Sequence, residues 1–253
     1  MNTKRLLFTL MILVVASALL LAACAPSVPA VPAAESTEPT AIVQSFYKIL
    51  NTKDVAKAME LTAEDYVMND PFGTYDQAAA AIQWQAVVDA GLTFNQTNFV
   101  DTGNGRVTSC YEVFENGKSI DKGCGNVTHV RDGKIIFDGL EPAEQIWIVQ
   151  KYYEALNARN LDLAMAFVAS DAVFINPTGT YEGADAIRES LKGLNTDGIT
   201  FDLSNFRNTD GKILYDYKVI QGDNLLDQGT NGLTVVKDGM VVFDGTEDTL
   251  ATQ

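Results

Sequence analysis

Asp70 sits in Asn69-Asp70-Pro71-Phe72-Gly73, a turn by composition. A carboxylate there does one of two things. In the mouth of a cavity, shielded from water, it has a raised pKa and can take or give a proton. Inside the turn, it caps the amides of Phe72 or Gly73, as Asn176 could in the later run Asn176-Pro177-Thr178-Gly179. Tyr152 either offers a phenol to a ligand or fills a core with its hydroxyl at the surface. Tyr75 and Tyr181 each follow a turn and either face a ligand or staple the next helix. Trp84 and Trp147 fall in helices and read as packing. His129 is the only histidine, and no cysteine stands at ligand spacing from it, so zinc has no donor set. The pairs Asp132-Gly133, Asp138-Gly139, Asp238-Gly239 and Asp244-Gly245 read as strand-end turns and do not fill the alternate positions of a calcium loop. No glycine-rich phosphate loop occurs. Nothing demands a metal or a cofactor.

The elements that must position these residues are written twice. At an offset of 106, residues 42–76 match 148–182 at 15 of 35 positions, and residues 105–139 match 211–245 at 12 of 35. Each copy is about 100 residues, enough for a core of its own, so the repeat is a domain duplication and not a solenoid. In the first copy Ile42, Phe46, Ile49 and Leu50 make one helical stripe, and Asp54 fits the N-cap of a short second helix. A short apolar piece, Tyr66-Val67-Met68, leads into the turn, and a third helix follows over roughly 76–90. Four strands are expected at 92–100, 106–114, 119–130 and 134–137, joined by Glu115-Asn116-Gly117-Lys118 and Arg131-Asp132-Gly133. Three helices and an antiparallel meander give an α+β domain with the helices on one face of the sheet.

Cys110 and Cys124 lie in the first copy, and Asp216 and Thr230 replace them in the second. Two cysteines lost together point to a disulfide between strands that flank Gly117; the other reading is two buried thiols.

Composition sets the surroundings. Apolar residues make up 47% of the chain and charged residues 20%, which suits a buried core and excludes disorder for the bulk. With 33 acidic and 18 basic residues the net charge is −15, so phosphate-mediated nucleic-acid binding is excluded. An anionic lipid surface would repel such a chain. Lys4 and Arg5 precede an apolar run from Leu6 to Leu20, then Leu21-Ala22-Ala23-Cys24. This is the pattern of an exported signal segment. Its end resembles the lipobox of bacterial lipoproteins, which implies that residues 1–23 are removed and Cys24 is lipidated. Membrane lipid is then the first partner, on the extracytoplasmic face of the cell membrane or the outer membrane. The stretch 24–39, rich in alanine and proline, reads as a tether before domains at 40–140 and 146–250.

In both copies the order of helix, helix, strand, Asp/Asn-Pro-x-Gly, helix and four strands resembles the NTF2-like superfamily, especially its SnoaL-like and ketosteroid-isomerase-like branches. The resemblance implies two cone-shaped domains in tandem, each with three helices on a curved antiparallel sheet around an apolar cavity. It implies a base at Asp70 or Asn176 and a tyrosine donor at the position held by Phe46 and Tyr152. A second acid would fall near Val127 and Leu233, which cannot ionise, so neither copy holds a full isomerase set. Phe46, Tyr75, Tyr152, Asn176 and Tyr181 are the expected ligand-binding residues. The first expectation for function is binding of a small apolar molecule. The alternatives are a SnoaL-like cyclase or isomerase using Asp70, and a non-catalytic interaction module. Such domains commonly pair through exposed sheet faces, so a short linker at 140–145 leads to an intrachain pseudo-dimer and a monomeric chain.

Overall fold

A computed structural model describes residues 38–250. The signal segment, Cys24 and the tether as far as residue 37 lie outside the described residues. The first domain opens with α1 (Pro39–Leu50) and α2 (Val55–Met59). Pro39 occupies the first turn of α1, where its missing N–H costs nothing. Ile42, Val43, Phe46, Tyr47 and Leu50 recur at helical spacing, and all are buried. Asp54 caps α2 by accepting from the Lys57 amide. Strands β1 (Thr62–Asp70) and β2 (Gly73–Asp76) follow, then α3 (Gln77–Asp89), capped by Asp76. The long meander is β3 (Leu92–Asp101), β4 (Arg106–Glu115), β5 (Lys118–Arg131) and β6 (Lys134–Leu140).

The second domain repeats this with α4 (Glu141–Asn157), α5 (Leu161–Met165), β7 (Val168–Asn176), β8 (Gly179–Glu182) and α6 (Ala184–Thr196). Strands β9 (Ile199–Thr209), β10 (Lys212–Gln221), β11 (Asn224–Lys237) and β12 (Met240–Thr246) complete its sheet, and α7 (Glu247–Leu250) follows. The sheet orders are β2-β1-β6-β5-β4-β3 and β8-β7-β12-β11-β10-β9.

The expected antiparallel sheet is mixed instead, since β1 runs parallel to β6 and β7 parallel to β12. The connection from β1 to β6 spans a hairpin, a helix and three strands, long enough to return the chain in the same direction. The short piece around Val67 is part of a nine-residue strand flanked by β2 and β6. Bulges bend the sheet into a cone: β3 loses register between Thr97 and Val100, with Asn98 at φ 54, and Asn205 repeats this φ in β9. Edge strands are fixed by asparagine. Asn51 donates to the Phe94 carbonyl at 2.6 Å and accepts from its amide at 2.8 Å, and Asn157 does both for Phe201 at 2.8 Å.

There is no linker at 140–145. Residues 141–145 form the first turn of α4, and its N-terminal end lies on the outer face of the first sheet. Trp147 stacks at 4.9 Å on Phe137 and on His129, while Phe167 closes on its other side. The core of the second domain thereby continues through Trp147 to Ile136 and Phe137, with Ala63 and Val67 packed beside them. Glu144, fully buried, accepts from Arg106 Nε at 2.6 Å and Nη2 at 2.8 Å, and meets His129 Nε2 at 2.5 Å. The seam joins unlike surfaces, a sheet face on one side and a helix start with the β11–β12 turn on the other. It does not pair equivalent sheet faces.

Candidate functional site

Residues opposite one another on neighbouring strands share a face, so the ladder sorts the interior from the exterior. Val107 pairs with Thr128, and Thr128 with Asp138, which pairs with Met68 on β1. This row faces the helices. Val127, the place implied for a second acid, lies on the opposite face. An acid does reach the interior, from the adjacent strand. Asp138 was read as part of a strand-end turn, yet it sits inside β6 at 3% exposure. Asp244 holds the equivalent place inside β12. Asp132-Gly133 and Asp238-Gly239 are the pairs that do form turns.

Asp138 accepts from the Tyr47 hydroxyl at 2.7 Å, from Thr128 at 2.9 Å and from Asn126 at 3.2 Å. Burial raises its pKa, and these three donors pull it back in part. The same burial, reinforced by Asp138, holds the Tyr47 phenol well above its ordinary value. In the second domain Tyr153 donates to both oxygens of Asp244 at 3.0 Å. Thr234 adds a bond at 2.8 Å and Tyr215 one at 3.1 Å. Asp244 retains some contact with solvent, and desolvation pushes its pKa up to about 6.

The tyrosine that meets the acid is thus Tyr47 or Tyr153, one residue beyond the place implied by the resemblance. Phe46 packs edge-on to Trp84 at 5.8 Å. The Tyr152 hydroxyl is buried without a hydrogen-bond partner, as are the Tyr66 hydroxyl and the indole nitrogens of Trp84 and Trp147. Trp84 N–H faces the Tyr66 oxygen without closing a bond, and Asp138 helps hold the Tyr66 phenol well above its usual pKa, after burial itself.

Asp70 is engaged within its turn. Its Oδ1 accepts from the Phe72 and Gly73 amides at 2.7 and 3.0 Å, and its Oδ2 accepts from Gln83 at 3.1 Å. Asn176 imitates it, accepting from the Thr178 amide at 2.9 Å and donating to Ser190 at 3.4 Å. Tyr75 folds over Gly73, beside Asp70, and Tyr181 bonds Thr178 at 2.8 Å. These residues, two in each domain, lie at the β1–β2 and β7–β8 turns, apart from the buried acids. Cys110 and Cys124 are opposite one another on β4 and β5, their sulfurs bonded, on the outer face. Among the described residues no group of three or more His, Cys, Asp or Glu could hold a metal, and no helix is long and apolar enough to cross a membrane.

The buried acids left a signal in the sequence. Tyr47, Thr128 and Asp138 are identical to Tyr153, Thr234 and Asp244 at the repeat offset, each a polar residue in an apolar run. His129 and Glu144 left none, because their partnership crosses from one copy to the other.

No curated protein matches the chain. Among solved structures, an NTF2-like protein of unknown function from Cytophaga hutchinsonii is 20% identical; the match covers 43% of this chain and 94% of that one, with a TM-score of 0.35. A protein of unknown function with a cystatin-like fold from Methylobium petroleophilum is 16% identical over 41% and 74% of the two chains, TM-score 0.37. An LEH-like epoxide hydrolase from M. tuberculosis is 20% identical over 41% and 80%, TM-score 0.36. The model of the SnoaL-like domain matches residues 43–137 and again 149–248. With a cone and a buried Tyr–Asp pair in each half, the chain belongs to the SnoaL-like domain family, twice over.

Proposed function

We propose that this protein is exported, anchored by lipid at Cys24 outside the cytoplasm, and binds a small, largely apolar molecule inside its cones. One observation carries the binding reading: each interior has a carboxylate engaged by three protein side-chain donors, and beside it a buried hydroxyl with no protein partner, Tyr66 in the first domain and Tyr152 in the second. A folded chain rarely leaves such atoms orphaned, and a bound molecule with one or two polar atoms would complete them. The fold alone decides nothing, since one scaffold hosts many activities. Mass spectrometry of the chain extracted from its membrane tests the reading: a retained small molecule is expected, and consistently empty protein refutes it. Replacing Cys24 by Ala should abolish lipid labelling; a wild-type chain that carries no lipid would sink the anchor. The two domains stay together in one chain, and a sedimenting monomer is expected.

A second reading is acid–base chemistry. What favours it is Asp244, with a pKa near 6 and some access to solvent. Asp70 has both oxygens committed to its turn and to Gln83, which leaves little for a substrate proton.

A further inference from the structure

The two interiors share an acid but differ in their free donors. Tyr66 and Trp84 of the first domain are Ala172 and Leu191 in the second, and Phe46 of the first is Tyr152 in the second. Around Asp138 the three protein donors already occupy the carboxylate, so the polar demand left over is for acceptors. An indole N–H can only donate, and the Tyr66 O–H has no protein acceptor. The surrounding wall is aromatic: Trp84 meets Phe46 at 5.8 Å, Tyr47 at 6.3 Å and Phe94 at 5.5 Å. Charge selects too. Asp138 lies close enough to raise the Tyr66 pKa, and the buried cationic side chain of this domain, Arg106, faces the seam with Glu144. A second anion beside Asp138 would have no counter-charge.

We propose that the first cone selects a neutral apolar molecule bearing a carbonyl-type acceptor, held by the Tyr66 hydroxyl and the Trp84 indole N–H. The second cone, which offers one such donor, the Tyr152 hydroxyl, in place of two, takes it more weakly. This deepens the binding reading and rests on it. Removing an orphan hydroxyl should also relieve the empty protein, because a buried unsatisfied group is costly. A purely structural tyrosine would behave the other way.

The test is equilibrium dialysis of the full chain in detergent, with detergent alone as reference, against 2-acetylnaphthalene and the matched hydrocarbon 2-ethylnaphthalene. One tightly bound ketone per chain is expected, held about tenfold more tightly than the hydrocarbon, the usual worth of a buried hydrogen bond. Tyr66→Phe and, independently, Trp84→Phe should each lower ketone affinity several-fold and leave the hydrocarbon unchanged. Tyr66→Phe should also raise the melting temperature of the empty chain. Equal affinity for both probes would overturn the acceptor assignment and leave the binding reading standing. Ketone affinity that survives both substitutions, or two ketones per chain held equally tightly, would overturn the assignment to the first cone. Binding of neither probe would remove both readings.

Discussion

Arg106 of the first domain and Glu144 of the second form a two-pronged ion pair at 2.6 and 2.8 Å, with the carboxylate fully buried. Burial alone would raise the Glu144 pKa, but Arg106 and His129 outweigh it and hold it below the usual value. The depressed pKa sets the sign. Stability from this group is present above the ordinary glutamate pKa of about 4.3 and is lost as pH falls through the lower folded value. Glu144→Ala leaves Arg106 buried with only the half-exposed Glu141 at 3.8 Å as an ion-pair partner, at a cost of up to about 3–5 kcal/mol. Urea unfolding at pH 7 checks this, and a loss below about 1 kcal/mol would mean that water enters the seam.

The seam can be isolated by a pair of glycines. Gly239, at φ +77, would place a Cβ 2.5 Å from Arg106 Cδ. Its counterpart Gly133, at φ +75, would meet nothing within 4 Å. Alanine at either position bears the left-handed backbone cost of roughly 1–2 kcal/mol. Gly239→Ala should lose about 1–3 kcal/mol more through overpacking. Equal losses in thermal unfolding would show that the seam yields without strain.

Asp244 gives the opposite pH sign to Glu144. Its folded pKa is raised to about 6, so its contribution is greatest below the unfolded value of about 3.9 and is lost as pH rises through 6. Two units correspond to about 2.7 kcal/mol, an upper bound because residual solvent contact screens the charge. Asp244→Asn should flatten the stability profile between about pH 4 and 6. An unchanged profile would assign that slope to other groups.

The sulfurs of Cys110 and Cys124 close a loop with a sequence separation of 14. On the chain-entropy model, a loop of this size is worth about 3 kcal/mol. The double alanine variant should unfold at correspondingly lower urea, and the denatured, unreduced wild type should show no titratable thiol from this pair.

Much of the fold was legible because the chain states it twice: shared turns, shared periodicity and an offset that slips by only one residue, to 107 at Phe94/Phe201, fix element order without reference to tertiary contacts. The parallel pairing of β1 with β6 was not, since strand direction depends on where a long connection returns. The Tyr47–Asp138 pair is separated by 91 residues, and an Asp-Gly dipeptide carries the local signature of a turn. Burial on a central strand overrides that signature. Asp70 shows the converse: its local setting, an Asx turn, matches its hydrogen bonds in the folded chain. Glu144 looked like linker because a lone charge before a helix usually faces water, and its partners lie in the other copy.

Because the seam joins unlike surfaces, its residues have no working twins. His129 corresponds to Val235, Arg106 to Lys212, and Trp147 to Ala41. In a symmetric pair each substitution is felt at two mirrored places, which couples the fates of the two halves. Here a change in one copy is felt once. After duplication each interior was free to drift in its own direction, and the exchanges Tyr66/Ala172, Trp84/Leu191 and Phe46/Tyr152 record that freedom.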